Sequence, residues 1–315
     1  MVRLNIKLKL TLLFLVFGIV PLMIVIPITF GKLNDMQQAT LDNMGSTASQ
    51  IGELIDRNLF ERYGDVQAFG TNAAAKDTSN WYKAGSGNPL IASMDAYMTN
   101  YGLYKVMMVV DMEGKVAAIN STDNKGKKLP VSEIYSKSFK NEEWFQKAKN
   151  KTFLKSDVLD GTVVEQPRYE PTVLEIYKSE DGFTITFAAP IYDYSGRMIG
   201  VWANFADFSL VEDIVKDVHK EKTTSGLKDI AFAIGDEKGT ILVNYDPAAR
   251  AELASRDPGS IGIKSLSDLE IPAANDAINS TSGTNIEKDI GSGEKDAVAW
   301  IRQMVHLVIR ALTGL

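Results

Sequence analysis

The sequence predicts an α+β fold with an N-terminal transmembrane helix, a long stalk helix and two antiparallel-sheet modules. Three observations carry that prediction. Residues 10–31 are uncharged and largely apolar. Apolar residues between Leu33 and Ala73 recur every three or four positions. A strand–turn–strand pattern occurs twice, at Asp111 and at Asp236. Strands with period-2 or continuous apolar character between turn signals, combined with helical stripes, read as sheet modules carrying helices.

The uncharged run comes first. Its 22 residues span roughly 33 Å as a helix, against about 30 Å of hydrocarbon. Pro21 and Pro27 are tolerated in membrane helices. Arg3, Lys7 and Lys9 precede the run, and after Lys32 the next base is Arg57. This asymmetry keeps the N-terminus in the cytoplasm and puts the chain from about residue 32 onward outside. A cleaved signal peptide is the alternative. It has a shorter apolar region and a small-residue cleavage site, which residues 27–32 do not supply. The run is therefore read as a retained single-pass anchor in the inner (plasma) membrane.

The stalk follows. Leu33, Met36, Leu41, Met44, Ala48, Ile51, Ile55, Leu59, Tyr63, Val66, Phe69 and Ala73 form one stripe. It packs on its own domain, on a second subunit, or on both. Gly45, Gly52 and Gly64 weaken the helix by about 1 kcal/mol each relative to Ala.

The sheet elements come next. Loops at 77–80 and 84–89 lead to a helix over 90–101. Residues 104–110, a turn at Asp111-Met112-Glu113-Gly114 and residues 116–119 predict a hairpin. Residues 230–234, Asp236-Glu237-Lys238-Gly239 and 241–243 repeat it, and the copies end in Asn120 and Asn244. Between them the pattern gives a helix over 131–149, a loop over 166–171, and strands over 183–191 and 198–205. A connecting helix over 209–220 has Ser209 as N-cap and Glu212 completing a capping box. Helices are expected on one side of the sheet.

Composition restricts the function classes. The chain has 315 residues, 45% hydrophobic and 23% charged, as in globular proteins. A net charge of −6 with no basic stripe argues against nucleic acid as a partner. There is no cysteine, and the histidines are His219 and His306, which removes thiol chemistry and leaves little for a triad or a metal centre. No nucleophile elbow, P-loop or zinc-protease motif occurs, and Asp123-Asn124-Lys125-Gly126 lacks the alternating ligands of a calcium loop. Neither an enzyme, a cofactor nor a metal is expected.

The order of several segments resembles the double Cache sensor domain of bacterial methyl-accepting chemotaxis proteins. The basic-flanked anchor, residues 51–56, residues 109–114, residues 144–148, Ser156-Asp157-Val158, residues 186–193 and Gly200-Val201 carry the resemblance over roughly residues 10–245. It implies two PAS-like modules, with small ligands bound in the membrane-distal one and a non-enzymatic role in chemotaxis or signal transduction. Under it the chain divides into a cytoplasmic N-terminus (1–9), the transmembrane helix (10–31), the stalk (32–78), the distal module (79–208), a connecting helix (209–222), the proximal module (223–296) and an atypical tail (297–315). The expected partners are a small-molecule ligand, the membrane, and a second copy joined through the stalk.

Some family members that bind amino acids carry Arg-x-Trp, Tyr-x-Asp and a further Asp. Trp144 and Asp160 match that pattern, but Glu142 stands at the Arg position, Val158 at the Tyr position, and Asn204 or Phe205 at the last Asp. The carboxylate-clamping cation is missing, so the resemblance does not imply a standard amino-acid sensor. The candidate ligand-binding residues are Trp144, Asp160, Arg168, Tyr169, Asn204 and Asp207. Trp144 is either a pocket wall or a core anchor. Asp160 is a ligand acceptor or a turn residue before Gly161. Arg168 and Tyr169 lie at a pocket mouth or in a solvent loop. Asn204 and Asp207 lie on or just after a strand, where either points into the site.

The C-terminal end departs from the family, which continues into a second membrane helix and a signalling region. Residues 297–315 are apolar but carry Arg302, His306 and Arg310 at helical spacing. They read either as a basic amphipathic helix on a membrane or, preferred, as the end of a truncated product with an incomplete proximal module.

Overall fold

The structure, a computed structural model, describes residues 5–85, 87–153, 155, 159–178, 182–227, 230–246, 256, 259–269, 272–279, 282–288, 295–302 and 306–311. Helix α1 (Ile6–Phe14) runs through a π-helical turn at Leu15–Ile19 into α2 (Val20–Gly70). Pro27 lies inside α2, and the apolar segment is long enough to cross a membrane. None of the side chains of the apolar segment 10–31 is buried by protein, whereas Met44, Ala48, Ile51, Ile55, Leu59, Tyr63, Val66 and Phe69 are. The stalk stripe thus packs on the chain's own sheets. Gly52 is buried in the same stripe.

After α2 come α3 (Ala73–Lys76), α4 (Pro89–Tyr101), β1 (Tyr104–Asp111), β2 (Val116–Ile119), α5 (Glu143–Lys149), β3 (Val163–Tyr169), α6 (Pro171–Tyr177), β4 (Phe183–Tyr192) and β5 (Met198–Asp207). Helix α7 (Ser209–Thr224) leads to β6 (Ile230–Gly235), β7 (Ile241–Tyr245), α8 (Pro272–Asn279), β8 (Ser282–Lys288), β9 (Lys295–Arg302) and β10 (His306–Ala311). The strands form two five-stranded antiparallel sheets, ordered β2-β1-β5-β4-β3 and β7-β6-β10-β9-β8. The two orders are identical, so the repeated hairpin marks a repeated module.

The hairpin turns share one chemistry. Asp111 Oδ1 accepts from the backbone N–H of Glu113 and Lys115, and Asp236 Oδ1 from Lys238 and Thr240. Gly114 and Gly239 sit at φ 78° and 80°, the left-handed region that glycine adopts without steric cost. Asn120 closes the first hairpin, its Oδ1 accepting from Met107 N–H at 2.9 Å.

Several expectations are corrected. Residues 131–149 are not one helix: a 3₁₀ turn at Ser132–Ser136 and α5 replace it. The connecting backbone is captured by the hairpin, with Phe139 N–H donating to Gly114 O. The expected loop over 166–171 is the end of β3 and the start of α6. Ser209 is the first helical residue of α7 rather than its N-cap. Asp207 Oδ1 accepts from Ser209 N–H, and Glu212 pairs with Arg256 instead of closing a capping box. The first sheet is covered on both faces, one core layer lying beneath α2 and a separate one beneath α5. The tail is not a helix. Residues 306–311 form the central strand of the second sheet, pairing Ala311 with Ile230 on one side and with Ala297 on the other. That sheet is therefore not short of strands. Ser156, Asp157 and Val158 lie outside the described residues.

The modules are joined by charge as well as by α2 and α7. Arg256 reaches Asp207 at 2.8 Å and Glu212 at 2.7 Å, and Lys105 meets the other oxygen of Asp207 at 2.8 Å. The guanidinium also lies 5.6 Å from the Phe183 ring, a cation–π distance.

Candidate functional site

The site is built on the face of the first sheet turned away from α2. Strand alternation decides which residues reach it. Cross-strand pairing aligns Glu165 with Thr186 and Thr186 with Phe205. One row away, Val163, Ala188, Ala203 and Met108 follow one another across the sheet. Helix α5 lies over this face and places Trp144 edge-on to Phe205 at 6.1 Å and against Phe139 at 5.9 Å.

Polar groups with unmet demand are set into this apolar layer. Both carboxylate oxygens of Glu165 are buried without a hydrogen bond, and so are Trp144 Nε1 and Thr184 Oγ1. Burying a polar group without a partner costs roughly 1–3 kcal/mol, more for a charge. Burial pushes the Glu165 carboxyl above its ordinary range, opposed by Arg168. Arg168 itself faces Glu170 at 2.9 Å, Glu142 at 3.2 Å and Glu165 at 3.7 Å. Burial works against its charge, but Glu170 and Glu165 outweigh that and raise its pKa. Burial likewise raises Glu170, with Arg168 opposing. One cation among three carboxylates leaves the cluster with an excess of acceptors, suited to a ligand that brings donors or positive charge.

The six predicted residues do not form one site. Trp144 is fully buried in the core layer beneath α5. Arg168 reaches the cluster from the end of β3. Tyr169 lies on the neighbouring position and packs its ring at a tilt against Phe183 at 5.0 Å, in the core layer beneath α2. Asn204 also faces α2, where its Oδ1 accepts from Trp202 Nε1 at 2.7 Å. Phe205, not Asn204, is the residue that meets Trp144. Asp207 is engaged by Lys105 and Arg256 at the module junction. Asp160 is solvent-facing, 3.7 Å from Lys155, while its carbonyl accepts from Gln67 Nε2. Among the described residues no cluster of three metal-ligating side chains occurs.

The sequence reading missed Glu165 and Thr184. The one available signal was alternation in residues 163–169, obscured by Pro167 and by the bulge between Glu165 and Arg168.

No protein-family model matches the sequence, and no curated protein matches it. Solved structures do. The sensory domain of the Campylobacter jejuni chemoreceptor Tlp3 with isoleucine bound has a TM-score of 0.58 at 15% identity, over 88% of this chain and 94% of that one. The extracellular domain of a protein assigned as a histidine kinase, vpHK1S-Z8, gives 0.56 at 14% identity, over 89% and 95%. An extracellular ligand-binding receptor from Desulfohalobium retbaense gives 0.52 at 13% identity, over 85% of this chain and 39% of that one. The fold is therefore that of double Cache sensory domains, and chains with different outputs share it.

Proposed function

We propose that this chain is the extracytoplasmic small-molecule-sensing part of a membrane receptor for chemotaxis or signal transduction. Its anchor sits in the inner membrane and its two modules lie outside the cytoplasm. The ligand site is the α5-covered face of the first sheet, built from Trp144, Glu165, Arg168, Thr184 and Phe205. The observation that carries the reading is Glu165, a buried carboxylate with both oxygens free of hydrogen bonds in an apolar layer. The ligand is a small amine or polyol, with positive charge preferred. A free carboxylate on the ligand is disfavoured by Glu142, Glu165 and Glu170.

Binding there shifts the population of two arrangements of the distal module, and the continuous α1–α2 helix carries the displacement to the bilayer. A second copy joins through the lower stalk, where Leu33 and Met36 are exposed. The histidine-kinase likeness supports a second reading of the same site, as the sensor of a kinase or cyclase receptor. A stand-alone membrane-anchored binding protein is the third.

The test is a thermal-shift panel on the full chain with amines, polyols, organic acids, amino acids and purines. A ligand raises the melting temperature in proportion to the logarithm of its concentration above Kd. Amines are expected to shift it and dicarboxylates are not. No concentration-dependent shift from any class would remove the reading.

A further inference from the structure

On the opposite face of the first sheet, a cavity of about 390 Å³ opens between the stalk helix and the sheet edge. Its walls are Leu59, Phe60 and Tyr63 from α2 with Leu159, Val164 and Phe187 from the sheet side, and Asp56 and Arg57 lie on its helical wall. The size lies within the range for small-ligand sites, about 300–1,000 Å³. Hydrogen bonds tie the cavity's strand-side wall to α2, beside the core packing of Leu59, Tyr63 and Phe187. Gln67 Nε2 donates to the Asp160 carbonyl at 2.8 Å and to Thr162 Oγ1 at 2.9 Å, and Thr162 Oγ1 donates to the Tyr63 carbonyl at 2.9 Å. These bonds fix the strand-side wall to α2 before any ligand arrives.

We propose that this cavity is a second binding site, for an amphipathic organic ammonium. Aromatic rings and a carboxylate in one apolar cavity are the recognition elements for a cation with a hydrophobic body. Phe187 and Tyr63 are buried, whereas Phe60 is 53% exposed and forms the rim. Burial pushes the Asp56 carboxyl above its ordinary range, and a cation beside it offsets that burial. Arg57 is exposed, so its head stays in solvent while its stem covers the mouth.

Two other occupants fit less well. The bilayer lies too far away, since Phe60 is roughly 43 Å along the helix from Gly31 at about 1.5 Å per residue. A second copy in parallel orientation would set the exposed Glu53, Arg57 and Glu61 against their own equivalents, like charge on like charge. A ligand bound here touches α2 directly, the helix that enters the membrane, and acts without the first-sheet site. The binding claim stands independently of the sensor reading.

The experiment titrates the full chain in detergent with benzyltrimethylammonium, using benzyl alcohol and phenylacetate as uncharged and anionic comparators. It reads melting temperature and hydrogen exchange. The expected result is a saturable shift with the ammonium, with exchange slowed over residues 53–64. Affinity falls at least about tenfold, equivalent to about 1.4 kcal/mol, in Asp56→Asn. It falls several-fold in Phe60→Ala, whose ring is exposed and lies outside the core. The proposal is overturned by the absence of a saturable shift, by unchanged affinity in Asp56→Asn, or by a shift with no slowing of exchange over residues 53–64. Protection of residues 53–64 that depends on protein concentration without probe assigns the groove to a second copy and also overturns it.

Discussion

At Glu165 two effects oppose each other. Burial raises the carboxyl pKa, and the Arg168 guanidinium at 3.7 Å lowers it, with burial winning. A carboxyl whose folded pKa lies above its unfolded value of about 4.3 favours the folded state fully below that value. The contribution is lost as pH rises through the folded pKa. Glu165→Gln removes this dependence. The variant is expected to melt higher than the parent at pH 7 and level with it near pH 4, as measured by thermal denaturation across that range. A variant that melts lower at pH 7 would mean that Arg168, not burial, dominates at this carboxylate. Residue-scale legibility was uneven for a related reason. The type and position of Trp144 were readable, but whether Asn204 or Phe205 turns toward it depends on a one-residue register, which flips every side chain to the other face. Pairing of Phe205 with Thr186 settles that, and it is a long-range fact that composition does not carry.

Among the elements, the two hairpins were the most legible, because Asp-x-x-Gly specifies its turn locally. Their glycines differ in what surrounds them. A Cβ on Gly114 would stand 2.4 Å from the Lys140 backbone nitrogen, whereas on Gly239 it would meet the Ile278 Cδ1 at 2.6 Å. Both replacements carry the positive-φ cost of about 1–2 kcal/mol. Only at Gly114 must backbone move as well. Gly114→Ala is expected to cost about 3 kcal/mol and Gly239→Ala about 1–2 kcal/mol, read as denaturant midpoints. Equal losses would contradict the packing described for the 137–142 segment. The C-terminal strands were misread for a physical reason. Arg302, His306 and Arg310 have helical spacing, but 295–302 and 306–311 pair as strands in the middle of the second sheet. A short apolar segment satisfies either period, and its neighbours decide. Strand β3 was hidden in the same way by Pro167, which a sheet accepts at its edge, and β3 is the edge.

At the scale of the whole molecule, the repeated strand order makes the chain two copies of one module on a single helix. The α+β class, the long apolar N-terminal helix and the repeat followed from periodicity. The coverage of both sheet faces did not, because the short segments over the distal face have no amphipathic period of their own. The two modules meet at the Lys105–Asp207–Arg256–Glu212 junction. Asp207 ends the strand that carries Phe205, and Arg256 belongs to the second module. Burial opposes the Asp207 charge, yet Lys105, Ser209 and Arg256 hold its pKa below the usual range. A ligand that moves β5 therefore acts on an ion pair spanning the modules. The account rests on a ligand meeting the buried acceptors beneath α5. Calorimetric titration of the strongest amine from the panel into the parent and Glu165→Gln chains at pH 7 measures this directly. Saturable binding to the parent, weakened at least about tenfold in the variant, is the expected result. Equal affinity of the two chains would contradict it.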